Sequence, residues 1–388
     1  MSGRRRRNVR EVVIVDAVRT AVGRKKGALS KTHPVDLLVP VLQQLVERNG
    51  MKAEDVEEVV TGCVTMTDEQ GGNIGRMAVL AAGFPVEVPS YSLNRMCGSS
   101  QQAIHSAAQM ILAGDADIAI ACGVENMSRV PMGSDMGSFS NDLINQYNIV
   151  PQGYSAELIA KKWSLSREEL DTYSLESHQR AALAIDQGLF DREIIPVKVK
   201  GDTGEIPFDK DEGIRRDTSF EKLAGLIPSF MPDEGVVTAG NSSQISDGAA
   251  GLLLMSREKA ESLGVKPRAR ILARVAVGID PVIMLTGVIP ATKKVLEKAG
   301  LAFGQIDVIE INEAFASVVK GWEREFKPDM NKVNPRGGAI ALGHPLGASG
   351  ARLATTLLHT LEDTNGRYGL QVMCIGFGMA TATIIEKL

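Results

Sequence analysis

Four segments of this 388-residue chain carry side chains whose type and setting could do chemistry. The first is Asn334-Pro-Arg-Gly-Gly-Ala-Ile-Ala-Leu-Gly-His-Pro-Leu-Gly-Ala-Ser-Gly-Ala-Arg352. It sets His344 in a glycine-rich turn that leads into an apolar helix, and none of the other four histidines lies among glycines. Glycine lets backbone approach a ligand closely. The N-terminus of the following helix offers unpaired N–H groups and a partial positive charge. Both suit a site where negative charge develops; the plain alternative is a tight structural turn.

The second segment is Asn94-Arg-Met-Cys-Gly-Ser-Ser100, where Cys97 falls between a predicted strand and a helix start. A thiol there is expected to have a lowered pKa and to act as a nucleophile. The alternative is an inert buried cysteine. The third is Cys374, at a strand end before Gly376 and Gly378, where backbone N–H groups could line an oxyanion hole and the thiol could carry a proton. A core cysteine closing a strand fits the same residues. The fourth is Asn312-Glu-Ala-Phe315, after a strand over Val308 to Ile311. The Asn312 amide could hold a water or an oxyanion, or cap a helix; Glu313 reads as structural. Cys63 and Cys122 end strands without such a turn and read as structural. His105 and His359 read as satisfied helix residues, and His33 and His178 as surface positions. No His/Asp/Glu cluster has metal-ligand spacing.

The elements that must position these groups follow from the pattern. Hydrophobic content of 44% over this length allows a large core and two or more domains. A net charge of −4 gives no reason to expect a nucleic-acid surface. The basic run Arg4 to Arg7 reads as a solvated tail. No secretory signal or membrane span is expected. Four scattered cysteines fit reduced thiols in the cytoplasm. Strands at Glu11–Val15, Val56–Cys63 and Asp117–Cys122 alternate with helices at Pro34–Asn49 and after Cys97. This predicts an α/β architecture with a mainly parallel sheet. The second half repeats the grammar about 250 residues on. Leu45 to Val60 resembles Val295 to Glu310, and the helix after Cys97 corresponds to the one after His344. A duplication would set Cys97 and His344 at equivalent helix starts, facing each other. The stretch from 125 to 245 breaks the alternation and reads as an inserted lid or binding region. The expected units are 1–124 with 246–268, an inserted 125–245, and 269–388.

In type and order these four segments resemble those of thiolases, over Glu11 to Leu388. The resemblance implies two duplicated α/β halves packed as five layers (α/β/α/β/α), with a loop domain inserted in the first. It implies an acyltransferase that cleaves a 3-oxoacyl-CoA with CoA, reversible as a Claisen condensation. Cys97 would take the acyl group, His344 would activate it, Cys374 would move the α-proton, and Asn312 would hold a water. The N–H groups of Cys97 and Gly376 would hold the oxyanion. CoA would enter as co-substrate with no permanently bound cofactor, over Ser243 and Arg215. The resemblance also implies a homodimer or homotetramer. Two departures stand out. Phe377 replaces a usual glycine in Cys374-Ile-Gly-Phe-Gly378, and Pro151-Gln152-Gly153 stands where short-chain members carry His-Met before glycine. Both favour a degradative 3-ketoacyl-CoA thiolase over an acetoacetyl-specific one. The context of Ser242 to Asp247 and of Arg352 resembles actinobacterial-type members, some acting on lipid or steroid catabolites. A non-catalytic lipid-binding relative would lack the reactive residues. A decarboxylating condensing enzyme would lack the second cysteine.

Overall fold

Apolar residues at period 2 and period 3.6 alternate along most of this chain, and they fold into strands and helices in the same order. In the computed structural model, residues 10–201 and 204–388 are described; the Arg4–Arg7 run and Asp202–Thr203 lie outside them. The strands are β1 (Val12–Thr20), β2 (Gly23–Arg24), β3 (Glu58–Gly62), β4 (Ser90–Leu93), β5 (Ile118–Asn126), β6 (Ile194–Ile195), β7 (Val197–Gly201), β8 (Gly204–Phe208), β9 (Ser246–Ser256), β10 (Ala269–Gly278), β11 (Val308–Ile311), β12 (Tyr368–Ile375) and β13 (Met379–Lys387). The helices are α1 (Pro34–Glu47), α2 (Ile74–Ala81), α3 (Ser99–Ala113), α4 (Asn141–Gln146), α5 (Gln152–Lys162), α6 (Arg167–Asp186), α7 (Phe220–Ala224), α8 (Arg257–Leu263), α9 (Val288–Ala299), α10 (Ala316–Phe326), α11 (Ala339–Leu342) and α12 (Ser349–Asp363).

The duplication is visible in the strand order. The first half runs β1-β9-β5-β3 and the second β10-β13-β12-β11. In both, the first two pairings are antiparallel and the last is parallel. The halves meet where β1 pairs β10 through Val13 with Arg270 and Ile14 with Ala269. A mainly parallel sheet was expected; the sheet is mixed. The reason is that β9 and β13 lie beside β5 and β12 without a right-handed helical crossover, so they return antiparallel.

Side chains alternate across each strand and divide the core into layers. On β5, Ile118, Ile120 and Cys122 pack outward with Leu37, Leu38, Val41 and Leu42 of α1. The intervening Ala119 and Ala121 face inward, with Ala103, Ala107 and Ile111 of α3 and Ala351, Leu357 and Leu358 of α12. On the other side, Leu370 and Val372 of β12 pack with Val288, Ala291 and Val295 of α9. Thus α3 and α12 form the middle layer between the two halves of the sheet, with helices outside each half, giving α/β/α/β/α. Small residues on the inner faces let those two helices approach. Each fully buried Leu or Ile contributes about 1.5–3 kcal/mol.

The stretch between β5 and β9 supplies α4 to α7 and a β7–β8 hairpin. A capping box starts α6: Ser166 Oγ accepts from Glu169 N–H, and Glu169 accepts from Ser166 N–H at 2.9 Å.

Candidate active site

Cys97 lies two residues before α3 and His344 five before α12, where the two helix starts meet. A Cβ on Gly350 would stand 2.3 Å from Gln101 N, so only glycine permits this approach. The Ala351 N–H donates to Ser100 Oγ at 2.9 Å across the junction. The histidine does not run straight into its helix. The short α11 and Gly343, at φ +105°, precede it, and the turn Pro345–Ala348 follows. Buried Glu125, at the end of β5, anchors that turn. It accepts from the N–H groups of Gly347 (2.8 Å), Val64 (2.9 Å) and Thr65 (3.0 Å) and from Gln70.

Asn312, just past β11, is fully buried, and its Nδ2 lies 3.3 Å from His344 Nε2. The same amide is close enough to the Cys374 thiol to favour its thiolate form. Its Oδ1 has no partner among the described residues. Glu313 is structural, as read: it accepts from Tyr173 Oη (2.7 Å), Ser177 Oγ (2.8 Å), Asn334 Nδ2 (2.9 Å) and Ile340 N (3.0 Å). It ties the Asn312 turn to α6 and to the histidine segment. Cys97 packs with Leu346 of the histidine turn and with Ile375 of the Cys374 strand. The Gln152 amide and the N–H groups of Gly376 and Cys97 lie close enough to the Cys97 sulfur to favour its thiolate form. Cys97, Asn312, His344, Cys374 and Gly376 therefore share one site.

Its electrostatics depart from the sequence reading. The Cys97 thiol was expected to be lowered by its helix start. It is instead pushed up to about 11, because burial outweighs the Gln152 and backbone N–H donors. Cys374 is pushed up to about 12 by burial and by Cys97 nearby. Burial and the Arg352 charge hold His344 down at about 3. The resting site is thus thiol, thiol and neutral imidazole. Alkylation of Cys97 by iodoacetamide is expected to accelerate about tenfold per pH unit from pH 7 to pH 10, as for a thiol titrating above that range. A rate already level by pH 8 would contradict it.

The other sequence candidates fall as follows. Ser243 donates its N–H to Ala314 O at 2.9 Å, so its segment lies against the Asn312 turn. Arg215 is exposed and lines a pocket of about 280 Å³ with His178, Leu175, Leu183 and Arg216. No distance brings these two onto the cysteines. His178 is not a surface residue: it is buried, and its Nδ1 accepts the Arg215 N–H at 3.1 Å. His105 is satisfied by Thr383 Oγ1 at 2.8 Å and His359 by Ala17 O at 3.2 Å, as expected. Cys122 is buried against Thr61 Oγ1 at 3.2 Å, and Cys63 is buried too. Among the described residues no group of His, Cys, Asp or Glu could hold a metal, and no helix is long and apolar enough to cross a membrane.

Two residues gain importance that spacing did not give them. Gln152 was visible as a departure but not as a neighbour of Cys97. Its Nε2 lies 2.8 Å from where a Cβ on Gly376 would be. Ser349, five residues after His344, places Oγ 2.5 Å from His344 Nδ1; no sequence signal separates it from other helix-start serines. Phe377 holds φ +60°, a rare backbone conformation for a bulky side chain, and its ring meets Phe139 edge-on at 5.9 Å.

The family descriptions "Thiolase, N-terminal domain" and "Thiolase, C-terminal domain" match residues 12–258 and 265–387. The chain belongs to the thiolase family. This thiolase is therefore an acyltransferase that works on CoA thioesters. It is 50% identical to a steroid 3-ketoacyl-CoA thiolase of Mycobacterium tuberculosis, over 97% of this chain and 94% of that one. It is 46% identical to an acetyl-CoA acetyltransferase of Chromobacterium violaceum, over 97% and 100%. The crystal structure of the Bacillus anthracis acetyl-CoA acetyltransferase superposes with a TM-score of 0.91 at 40% identity, covering 98% of this thiolase and 99% of that chain.

Proposed function

We propose that this thiolase cleaves 3-oxoacyl-CoA substrates larger than acetoacetyl-CoA in a degradative direction, with Cys97 as nucleophile. The carrying observation is the grouping of two thiols, an imidazole and an amide around the Gly376 N–H. As the Cys97 sulfur attacks the 3-oxo carbon, its proton passes to His344 Nε2 and the carbonyl oxygen takes the electrons, facing the Cys97 and Gly376 N–H groups. The C2–C3 bond then breaks. Its electrons form the acetyl-CoA enolate, held by His344 and a water on Asn312, and Cys374 protonates the carbon. His344 passes its proton on to the Cys374 thiolate; the thiol of free CoA then attacks the Cys97 thioester and gives its proton to His344, and Cys97 leaves, taking that proton back, as CoA carries off the shortened acyl group. Four exchangeable roles in one buried site argue against a non-catalytic lipid carrier. The second cysteine argues against a decarboxylating condensing enzyme.

Ser243 and Arg215 are the proposed CoA contacts, the former on the pantetheine arm and the latter at the nucleotide. The units proposed are 1–124 with 246–268, an inserted 125–245 that holds CoA, and 269–388. A homodimer or homotetramer fits edge strand β4, which pairs only on its β3 side among the described strands and exposes Tyr91. The four unpaired cysteines suit the reducing cytoplasm.

For substrate size the support is Gln152 at the Cys97 sulfur, Phe377 against Phe139 in the turn after Gly376, and the 50% identity to a steroid 3-ketoacyl-CoA thiolase. The test is thiolysis kcat/KM across 3-oxoacyl-CoAs of increasing size, for wild type and F377G. Wild type is expected to peak at medium, long or branched acyl groups, and F377G to move the peak. A wild-type peak at acetoacetyl-CoA would make this a short-chain enzyme. No turnover with any substrate would return the lipid carrier.

A further inference from the structure

We propose that Ser349 is a positioning residue that holds His344 in the tautomer with hydrogen on Nδ1, so that Nε2 keeps the lone pair that takes the Cys97 proton in place of the Asn312 N–H. This rests on the roles given above to Cys97 and His344. Ser349 Oγ lies 2.5 Å from His344 Nδ1 and 2.8 Å from Pro345 O, and all three residues are buried. A neutral imidazole carries one hydrogen, and a serine hydroxyl carries one. Two arrangements satisfy the Nδ1–Oγ contact: the ring donates to the hydroxyl, or the hydroxyl to the ring. The far side of the ring decides between them. Asn312 turns its Nδ2 toward Nε2 at 3.3 Å and toward the Cys374 sulfur. An N–H aimed at Nε2 requires a lone pair there, so the ring hydrogen belongs on Nδ1. Ser349 Oγ then accepts, and its own O–H goes to Pro345 O at 2.8 Å. The three bonds run in one sense: Asn312 N–H to Nε2, Nδ1–H to Ser349 Oγ, and Ser349 O–H to Pro345 O.

The arrangement has a consequence for the first chemical step. When the Cys97 S–H proton reaches Nε2, the ring becomes an imidazolium with hydrogen on both nitrogens. The Nδ1–H bond to Ser349 then becomes charge-assisted and strengthens as the charge forms. Arg352 disfavours that charge. Ser349, in contact with Nδ1, favours it, with the Pro345 carbonyl taking the Ser349 O–H behind. A hydroxyl also fits this place sterically: it fills the start of α12 with no strain, since Ser349 takes ordinary helical backbone there.

The tautomer can be read directly, because only five histidines contribute to a spectrum of 15N-histidine-labelled enzyme. The His344 signals are identified by their loss in H344N. Wild type is expected to show Nδ1 protonated and Nε2 bare. S349A is expected to show mixed or inverted protonation and a kcat lower by about 10- to 100-fold with KM little changed. That is less than the roughly 10⁴-fold lost where a tautomer-holding carboxylate is removed. S349T keeps the hydroxyl and is expected to restore both readings. A wild-type ring bearing hydrogen on Nε2 overturns the proposal whether or not S349A folds. So does an S349A enzyme with wild-type tautomer and kcat. Failure of the underlying Cys97–His344 reading would look different: wild-type turnover would survive in H344N itself.

Discussion

Replacing Cys97 with alanine is expected to remove thiolysis by at least about 10⁴-fold while leaving the fold intact. The sulfur is the atom to which the acyl group is proposed to bind, and no neighbour can substitute for it. Cys374 serves another face of the site, and Cys63 and Cys122 pack into the outer core with β3 and β5. The structural cost is small. Cys97 packs among Val64, Met127, Leu346, Leu353 and Ile375, and losing one sulfur from that cluster costs about 1–2 kcal/mol. Stopped-flow absorbance of the 3-oxoacyl-CoA chromophore would follow turnover, and scanning calorimetry the fold. C97S is the sharper variant. A serine hydroxyl is less acidic than a thiol, and the neutral His344 proposed to take its proton is a weak base in this setting. C97S should therefore be nearly as inactive as C97A. Activity of either variant within tenfold of wild type would place the acyl group elsewhere.

Much of this site is legible in the sequence, because its chemistry depends on local backbone. The glycines around His344 and after Cys374 announce close approach, and such a requirement cannot be met by other residues at Gly350. The 250-residue repeat likewise reads through, since each half needs the same strand–helix order to build its sheet. What does not read through is set by distant chain. The helix start at Cys97 is visible at residues 97–100, but the burial that raises its thiol comes from Leu346 and Ile375. His178 has polar neighbours in sequence and looks exposed, yet the Arg215 loop covers it. The mixed sheet was missed because β13 follows β12 through a tight turn, with no helix to mark a crossover. Gln152 could be noticed as a departure, but only the fold shows it beside Gly376. Ser349 is at a fixed spacing from His344, yet the turn Pro345–Ala348 is what folds the serine back onto the ring.

Cys374→Ala is expected to divide the reaction rather than end it. In the proposed mechanism Cys374 moves a proton only at the acetyl α-carbon, while acylation of Cys97 uses His344 and the Gly376 N–H. C374A should therefore still accept an acetyl group from acetyl-CoA and exchange it with labelled CoA. It should lose carbon–carbon cleavage by about 10³-fold or more, since a positioned acid–base group of this kind contributes about 10²–10⁴-fold. It should also lose exchange of the acetyl-CoA α-protons with deuterated solvent, which mass spectrometry reads directly. The buried thiol is suited to this work because of its raised pKa: at neutral pH it is protonated and can donate to an enolate carbon. Asn312 strengthens the case, since its amide lies on both the Cys374 sulfur and His344 Nε2 and so places the proton donor beside the enolate oxygen site. If C374A kept α-proton exchange at the wild-type rate, the second cysteine would be structural, and a one-cysteine condensing mechanism through His344 and Asn312 would account for the site instead. If C374A lost acetyl–CoA exchange as well, Cys374 would be required for charging Cys97 itself, and the division of labour between the two thiols would have to be redrawn around their mutual influence.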